Sequence, residues 1–389
     1  MTMENKYDLI VVGGGILGTF HAYHAIKKGL KVALLEKDGK PQGATVRNFG
    51  QVVPSGMDSK WQLYGRESLA IYKNIQSKFD ISVRQEGSVY IASNEEETQL
   101  LLELNAINLA NAYPSKLLTQ GECLEKYPGL RTDYVKMGLF FPEEIMVEPR
   151  LMIGRLQDYL RELGLEIFFN KTVIECNALT NWVQVHSTDN TTLSGTKVII
   201  CNGSDFKNLY PNRFAESDLV VSKLQMMQTK PQPNYKLPSS VLTGLSIRRY
   251  EAFSECPSYS VIKARENHES LERKWGVHIL FKQAADGSVI IGDSHEYAPA
   301  SRIEELGMDL NMDIDHFILQ EAKKIFDLPT YRIQNRWYGL YSQCKSADIY
   351  QQTIDRNIHI VTGIGGKGMT GSAGFAKENI NSIFNLQDA

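Results

Sequence analysis

The sequence predicts an α/β protein in which one parallel sheet is drawn from separated stretches of the chain and a mostly antiparallel α+β unit is inserted between them. Three observations predict this. A short apolar run, Tyr7-Asp8-Leu9-Ile10-Val11-Val12, runs through a glycine turn and a helical stretch into a second apolar run, Lys31-Val32-Ala33-Leu34-Leu35, which ends in Glu36. That is the pattern of a βαβ unit. A second glycine-rich loop, Gly363 to Gly371, stands near the other end of the chain, between a strand pattern at His359–Thr362 and a terminal helical pattern through Phe384. From Val221 to Gly292 the pattern is mostly β, with Val277–Lys282 and Val289–Ile291 around an Asp286-Gly287 turn.

The first turn, Gly13-Gly14-Gly15-Ile16-Leu17-Gly18, has the chemistry of a dinucleotide grip. Gly13 permits the tight turn, Gly15 lets the backbone approach a pyrophosphate, and Gly18 lets the helix pack on the sheet. The helix N-terminus offers unpaired N–H groups and a partial positive charge to phosphates. Glu36, at the end of the second strand, can accept hydrogen bonds from ribose hydroxyls. A glycine turn in some other α/β protein is the competing reading. The strand before the turn, the helix through His21 to Lys28 and the acid after it favour the dinucleotide.

Beyond Glu36 the βα repeat stops. Gly43 to Gln51 is polar and glycine-bracketed, and helical patterns follow at Lys60–Lys78 and Glu95–Ala112, with a strand pattern at Val83–Ala92 between them. Glu148-Pro149 starts a helix that Gly164 stops, and Leu165–Ile174 and Trp182–His186 read as strands of a small hairpin-rich sheet. Lys197–Cys201 is a buried-type strand running into Asn202-Gly203, which suits a return to the nucleotide sheet. A further helix is expected near Ile314–Phe326.

Composition narrows the function. A net charge of -3 argues against broad nucleic-acid binding while leaving room for a local basic pocket. No apolar run is long enough to span a bilayer, and the lead-in from Met1 leaves no room for a signal peptide, so a cytoplasmic protein is expected. The five cysteines, Cys123, Cys176, Cys201, Cys256 and Cys344, contain no CxxC pair. No third ligand accompanies His21 and His24, and no metal site is predicted.

Four separated motifs resemble the D-amino-acid oxidase-like superfamily of FAD enzymes, the group with glycine oxidase, sarcosine oxidase and the D-amino-acid dehydrogenases. The Gly13–Gly18 loop with Glu36 is similar to the group's FAD signature. Arg47-Asn48-Phe49-Gly50-Gln51 resembles its Asn-x-Gly-Gln segment, Thr362 through Thr370 its C-terminal loop beside the flavin, and Trp337-Tyr338-Gly339-Leu340-Tyr341, with Asp348 after it, its Trp-x-Gly-Leu-Arg motif. The resemblance implies non-covalent FAD in a Rossmann-like domain. It extends the cofactor contacts to Lys37, Thr45, Val173, Asn202, Gly203, Gly339, Gly363, Gly365, Gly366, Lys367, Gly368, Met369 and Thr370, besides Arg47, Asn48, Gly50 and Gln51. Read alone, Trp337, Tyr338 and Tyr341 are also compatible with core aromatics, and Arg47 and Lys367 with solvated charges. A P-loop is disfavoured, since Gly368 follows Lys367 where a Ser or Thr is required.

Two departures bear on chemistry. Tyr341 stands where the amino-acid dehydrogenases carry an arginine for the substrate carboxylate and where sarcosine oxidases carry the flavin-linking cysteine; Cys344 is out of register. Ile290 falls where sarcosine oxidases place an oxygen-activating lysine, which leaves O2 and a respiratory carrier both open as electron acceptor. Ala44 to Gly50 and Arg249-Tyr250-Glu251-Ala252-Phe253 resemble a bacterial subgroup linked to aminophosphonate catabolism.

The expectation is therefore oxidation of the C–N bond of a small anionic primary or secondary amine by hydride transfer to flavin N5. Arg47, Lys367 and Arg249 would hold the anion, and Tyr341 would shape the pocket. The rivals are an amino-acid or hydroxy-acid dehydrogenase, the latter disfavoured because no histidine lies in a motif placed at the flavin, and a flavin-binding regulator without turnover. The expected domains are 1–82, 146–220 and 335–389 for FAD, and 83–145 and 221–334 for substrate.

Overall fold

The structure is a computed structural model that describes residues 6–386. The lead-in Met1–Asn5 lies outside the described residues. Strand β1 (Lys6–Val12), helix α1 (Ile16–Lys27) and strand β2 (Val32–Leu35) form the expected βαβ unit. β1 pairs in parallel with β2 on one side and with Thr192–Ile200 on the other. The sheet continues in parallel to Ile358–Thr362 beyond Thr192–Ile200, and to Glu166–Phe168 beyond β2. The chain thus returns to this sheet from both later segments that carried its apolar signature. Leu9, Ile10, Val11 and Leu34 are fully buried, as expected of strands covered on both faces.

α1 is buried along most of its length because it lies between the sheet and the terminal helix Gly368–Phe384. Its two histidines tie it to that helix. His24 Nε2 contacts the Ala373 carbonyl at 2.8 Å, and His21 Nε2 accepts from Asn379 Nδ2 at 2.8 Å. His21 Nδ1 faces the Leu17 carbonyl at 2.7 Å, which places its proton there.

The second sheet is nine-stranded and largely antiparallel. Its longest strands, Val220–Thr229 and Ile333–Gln343, pair over their full length. This corrects one expected boundary: the segment Trp337 to Tyr341, assigned to the FAD side, belongs to the second sheet, because its partner strand begins at Val220. On its other edge Val220–Thr229 pairs first with Glu296–Pro299 and then with Val289–Gly292. Between these two pairings, Asp293, Ser294 and His295 leave the ladder.

Two further expectations shift. The strand expected from Val83 is regular only over Ser88–Ala92, because Gly87 takes φ +75° against the Phe140 ring. The stretch expected to be mostly β contains four short helical turns, Gly244–Ile247, Glu251–Glu255, Tyr259–Ala264 and Leu271–Lys274. Arg248 roots this insertion by pairing with Glu97 and Glu96, both at 3.0 Å, at the start of the helix Glu95–Ala110. Its neighbour Arg249 is left to face the site.

Candidate cofactor and substrate site

A cavity of about 530 Å³ runs along the C-terminal ends of the parallel strands and under the second sheet. Gly13, Gly15, Ile16 and Leu17 form its first wall. A Cβ on Gly13, which sits at φ +106°, would lie 2.3 Å from the Cys201 carbonyl oxygen, so only glycine fits the turn. Gly18 does not reach the cavity; a Cβ there would strike the Gly13 carbonyl oxygen at 2.1 Å, so its smallness serves helix packing as expected. Gly14 is likewise behind the wall, with its N–H donating to Glu36 Oε2 at 2.8 Å. Glu36 lines the cavity and also accepts from the Asp38 N–H at 3.1 Å.

Thr45 caps the helix from the opposite side, its Oγ1 accepting from the Ile16 N–H at 2.9 Å. Asn48 braces that segment by accepting from the Gly50 N–H at 2.7 Å and donating to the carbonyls of Ala44 and Thr45. Thr45, Asn48, Gly50 and Gln51 all face the cavity, and so do Lys37, Val173, Asn202 and Gly203 at its other end, where Lys37 pairs with Asp205 at 2.7 Å. Gly363, Gly365, Gly366, Lys367, Gly368, Met369 and Thr370 close it from the C-terminal loop. Thr370 Oγ1 accepts from the Val53 N–H at 3.1 Å, which ties that loop to the Asn48 segment.

These residues fit FAD. The cradle is glycine where backbone must come close, a helix N-terminus faces it, and Glu36 stands at the strand end. Four buried polar atoms of its wall residues, Gln51 Nε2, Asn202 Oδ1, Asp293 Oδ1 and Tyr341 Oη, have no hydrogen-bond partner among the described residues and await one from a bound group.

The expected anion binders fare differently. Arg47 is not in the cavity wall: its Nε donates to the Gln42 carbonyl at 2.8 Å and its Nη1 to the Tyr338 carbonyl at 3.0 Å. The backbone has claimed the charge. Gly339 is also outside the wall, packed under the Tyr341 ring. Lys367 lines the cavity, but its Nζ already pairs with Glu251 at 2.9 Å and Asp348 at 3.0 Å. Arg249 lines the cavity and, among the described residues, no carboxylate lies within ion-pair distance of it; its Nη2 donates to the Tyr297 hydroxyl at 2.7 Å.

No histidine lies in a motif that the sequence places at the flavin, yet two histidines stand at the site. His278 and His295 both line the cavity with Asp293. His278 Nε2 lies 2.5 Å from Asp293 Oδ1, and its Nδ1 faces Ser246 Oγ at 3.2 Å. His295 Nδ1 faces the Gly276 carbonyl at 3.0 Å. Burial pushes the His295 imidazole down to about 3 and raises the Asp293 carboxyl, yet the contact with His278 outweighs burial and holds that carboxyl below its usual range. No sequence motif marks these residues; a histidine either side of an Asp-Gly hairpin was the only available signal.

Ile290 is buried opposite Lys282 in the second sheet and does not reach the cavity. Lys282 donates to the Val147 carbonyl at 2.7 Å and to Glu148 at 2.9 Å. Cys344 faces Asp218 and is outside the wall.

The sequence profile of the FAD-dependent oxidoreductase family, DAO, matches residues 8–379. The chain belongs to this family. The oxidoreductase is 21% identical over 389 residues to a glycerol 3-phosphate dehydrogenase of Caloramator mitchellensis, covering 98% of this chain and 74% of that one. It is 26% identical over 219 residues to a glycine oxidase of Bacillus licheniformis, covering 53% of this chain and 58% of the relative. Its fold matches the crystal structure of glycine oxidase from Geobacillus kaustophilus with a TM-score of 0.78 at 16% identity, over 99% and 96% of the two chains. It also matches an L-α-glycerophosphate oxidase from Mycoplasma pneumoniae with FAD bound, with a TM-score of 0.77 at 18% identity, over 98% and 96%. FAD is accordingly the cofactor of this oxidoreductase. No helix of the described residues is long and apolar enough to cross a membrane.

Proposed function

We propose that this oxidoreductase oxidises the C–N bond of a small primary or secondary amine that carries an anionic group, an aminoalkyl phosphonate such as N-methyl-2-aminoethylphosphonate. One observation carries this reading: the cavity wall presents Arg249 without a carboxylate partner and, close by, the buried carboxylate Asp293. A substrate with one positive and one negative end complements both charges. Tyr341, buried in the wall, supplies no bidentate clamp for an α-carboxylate, so the anion falls to Arg249 in the same wall.

When bound, FAD supplies the two-electron acceptor for the hydride leaving the carbon next to nitrogen, once the nitrogen, bound as ammonium, has given a proton to solvent and the unprotonated amine can form the imine. The chain's own residues orient and enclose. Arg249 holds the anion, while Leu224, Met226 and Leu280 give that carbon an apolar wall that keeps water away. Water then hydrolyses the released imine to an aldehyde or ketone. O2 or a respiratory carrier takes the electrons in turn, and a cytoplasmic location suits a small-molecule catabolic role. The division into a cofactor domain and a substrate domain is read here as following the two sheets.

Anaerobic mixing of the FAD-loaded protein with a substrate panel tests this. N-methyl-2-aminoethylphosphonate is expected to bleach the flavin faster than glycine or D-alanine. Equal or faster bleaching by the amino acids sinks the phosphonate reading and leaves amine oxidation standing.

A second reading is favoured by His278 and His295. Oxidation of a C–OH bond needs an acceptor for the hydroxyl proton, and an imidazole at the cavity wall supplies one. Bleaching by hydroxyalkyl phosphates or hydroxy acids, and by no amine, would establish that reading instead.

A further inference from the structure

We propose that Asp293, Tyr341 and His295 form the recess that receives the substrate's ammonium group, and that this recess makes the site select amines over the corresponding alcohols. The inference rests on the reading that the substrate is an aminoalkyl anion. It adds the residues that read the nitrogen.

The recess exists because the second sheet breaks its ladder. Val289–Gly292 leaves the long strand Val220–Thr229 after Met226, and Glu296–Pro299 rejoins it at Lys223. Ser294 fills the gap, its Oγ accepting from the Gln225 N–H at 3.2 Å and its own N–H donating to the Gln225 carbonyl at 3.3 Å. The residues on either side, Asp293 and His295, are left in the cavity wall.

All three side chains present acceptors there. Asp293 is 4% exposed and contacts one donor, His278 Nε2, so most of the lone-pair capacity of its carboxylate is unused. His295 directs its Nδ1 proton to the Gly276 carbonyl, which leaves Nε2 unprotonated and able to accept; burial keeps the ring uncharged, so it does not repel a cation. Tyr341 is 7% exposed, and its Oη has no partner among the described residues. A buried hydroxyl and a buried carboxylate left short of partners in one cavity wall are costly unless a donor fills the space. A protonated amine brings two or three donors and the compensating charge. A hydroxyl brings one donor and no charge.

The donor set His278, Asp293 and His295 also satisfies the loose spacing of a metal site, with one atom of each within 4.8 Å of the others. Ammonium is favoured for two reasons. A metal at ~2.0–2.2 Å from each ligand would hold nitrogen and oxygen about 3 Å or more apart, whereas His278 Nε2 and Asp293 Oδ1 are in direct contact at 2.5 Å. The Arg249 guanidinium acts electrostatically on both Asp293 and His295, which opposes a divalent ion more than a monovalent one.

The test uses two ligands that differ only at this group, 2-aminoethylphosphonate and 2-hydroxyethylphosphonate. Both are titrated calorimetrically into FAD-loaded protein kept reduced by dithionite so that no amine is consumed. The wild type is expected to bind the amine about a hundredfold more tightly than the alcohol. Asp293→Asn is expected to abolish that preference with the alcohol's Kd within about threefold of wild type. Tyr341→Phe, which removes a single oxygen, is expected to lower amine affinity about tenfold and guards against a misfolded Asp293 variant. An amine preference unchanged in both variants overturns the inference while wild-type flavin reduction by amines keeps the amine reading. A wild type without amine preference and without reduction by amines overturns both. Stoichiometric Zn2+ that is lost in Asp293→Asn with amine binding unaltered assigns the cluster to a metal and overturns the inference.

Discussion

Lys367 and Glu251 form a 2.9 Å ion pair that ties the C-terminal cofactor loop to the segment carrying Arg249 and Tyr250. Asp348 joins the same ammonium at 3.0 Å, and Asp58 completes an acidic trio with Glu251 and Asp348. Lys367 therefore neutralises carboxylates at the cavity wall and has little charge left for a substrate anion.

Removing that lysine tests the latch. Lys367→Met leaves acidic side chains facing one another, so substrate anions are expected to bind about tenfold more weakly, with the effect larger at low salt. Glu251→Gln in the same background is expected to recover much of the loss. Anaerobic stopped-flow titration at two salt concentrations measures both, and a recovery no greater than that of Glu251→Gln in the wild type would show that Lys367 acts on the substrate directly.

Glu36→Ala removes the acceptor for the Gly14 and Asp38 N–H groups and the acceptor proposed for the ribose. Loss of FAD affinity on the order of 1 to 3 kcal/mol is expected, about five- to a hundred-and-fiftyfold in Kd, with Glu36→Gln in between. Flavin fluorescence on dilution reads it out. Acid precipitation of the wild type is expected to leave all yellow colour in the supernatant as intact FAD; colour in the pellet would show a covalent link.

Arg249→Ala is expected to raise the Kd for an aminoalkyl phosphonate about a hundredfold, roughly 2 to 3 kcal/mol for lost charge-assisted bonds, with FAD affinity unchanged. Arg249→Lys should recover only part, because a single ammonium cannot keep the 2.7 Å bond to Tyr297 and still present a fork. Unaltered flavin reduction in both variants would remove Arg249 from the substrate site.

His21 makes stability depend on pH. Burial lowers its pKa to about 4 from an ordinary 6.5, so the unfolded chain takes up the proton first as pH falls. The stabilisation is complete above pH 6.5 and is lost between there and pH 4, on the order of 3 kcal/mol in all. His359, also lowered to about 4 by burial, and His295, lowered to about 3, act in the same direction. His21→Gln is expected to make the fall in urea-unfolding free energy between pH 6.5 and 4 shallower by up to one proton. An identical slope would place His21 outside this balance.

What the sequence determined by itself was local. Gly13, Gly15, Gly18 and Glu36 could be read because a tight turn, a close backbone approach and a strand-end acid are all settled within one βαβ unit by short-range sterics and hydrogen bonds. The return of Thr192–Ile200 and Ile358–Thr362 to the same sheet was legible from their uninterrupted apolar character. Tertiary structure decided everything that depends on a distant partner. Trp337 to Tyr341 took the second sheet because Val220–Thr229 offered a full-length antiparallel edge, a pairing that periodicity does not encode. Arg47 and Lys367 had the right charge in the right motifs, yet the carbonyls of Gln42 and Tyr338 and the carboxylates of Glu251 and Asp348 claimed them. His278, Asp293 and His295 carried no motif, only a histidine on either side of the Asp286-Gly287 hairpin. They meet because one strand leaves a ladder and another rejoins it, and whether a side chain is spent on its own protein or left to a ligand is settled only when the chain has closed around it.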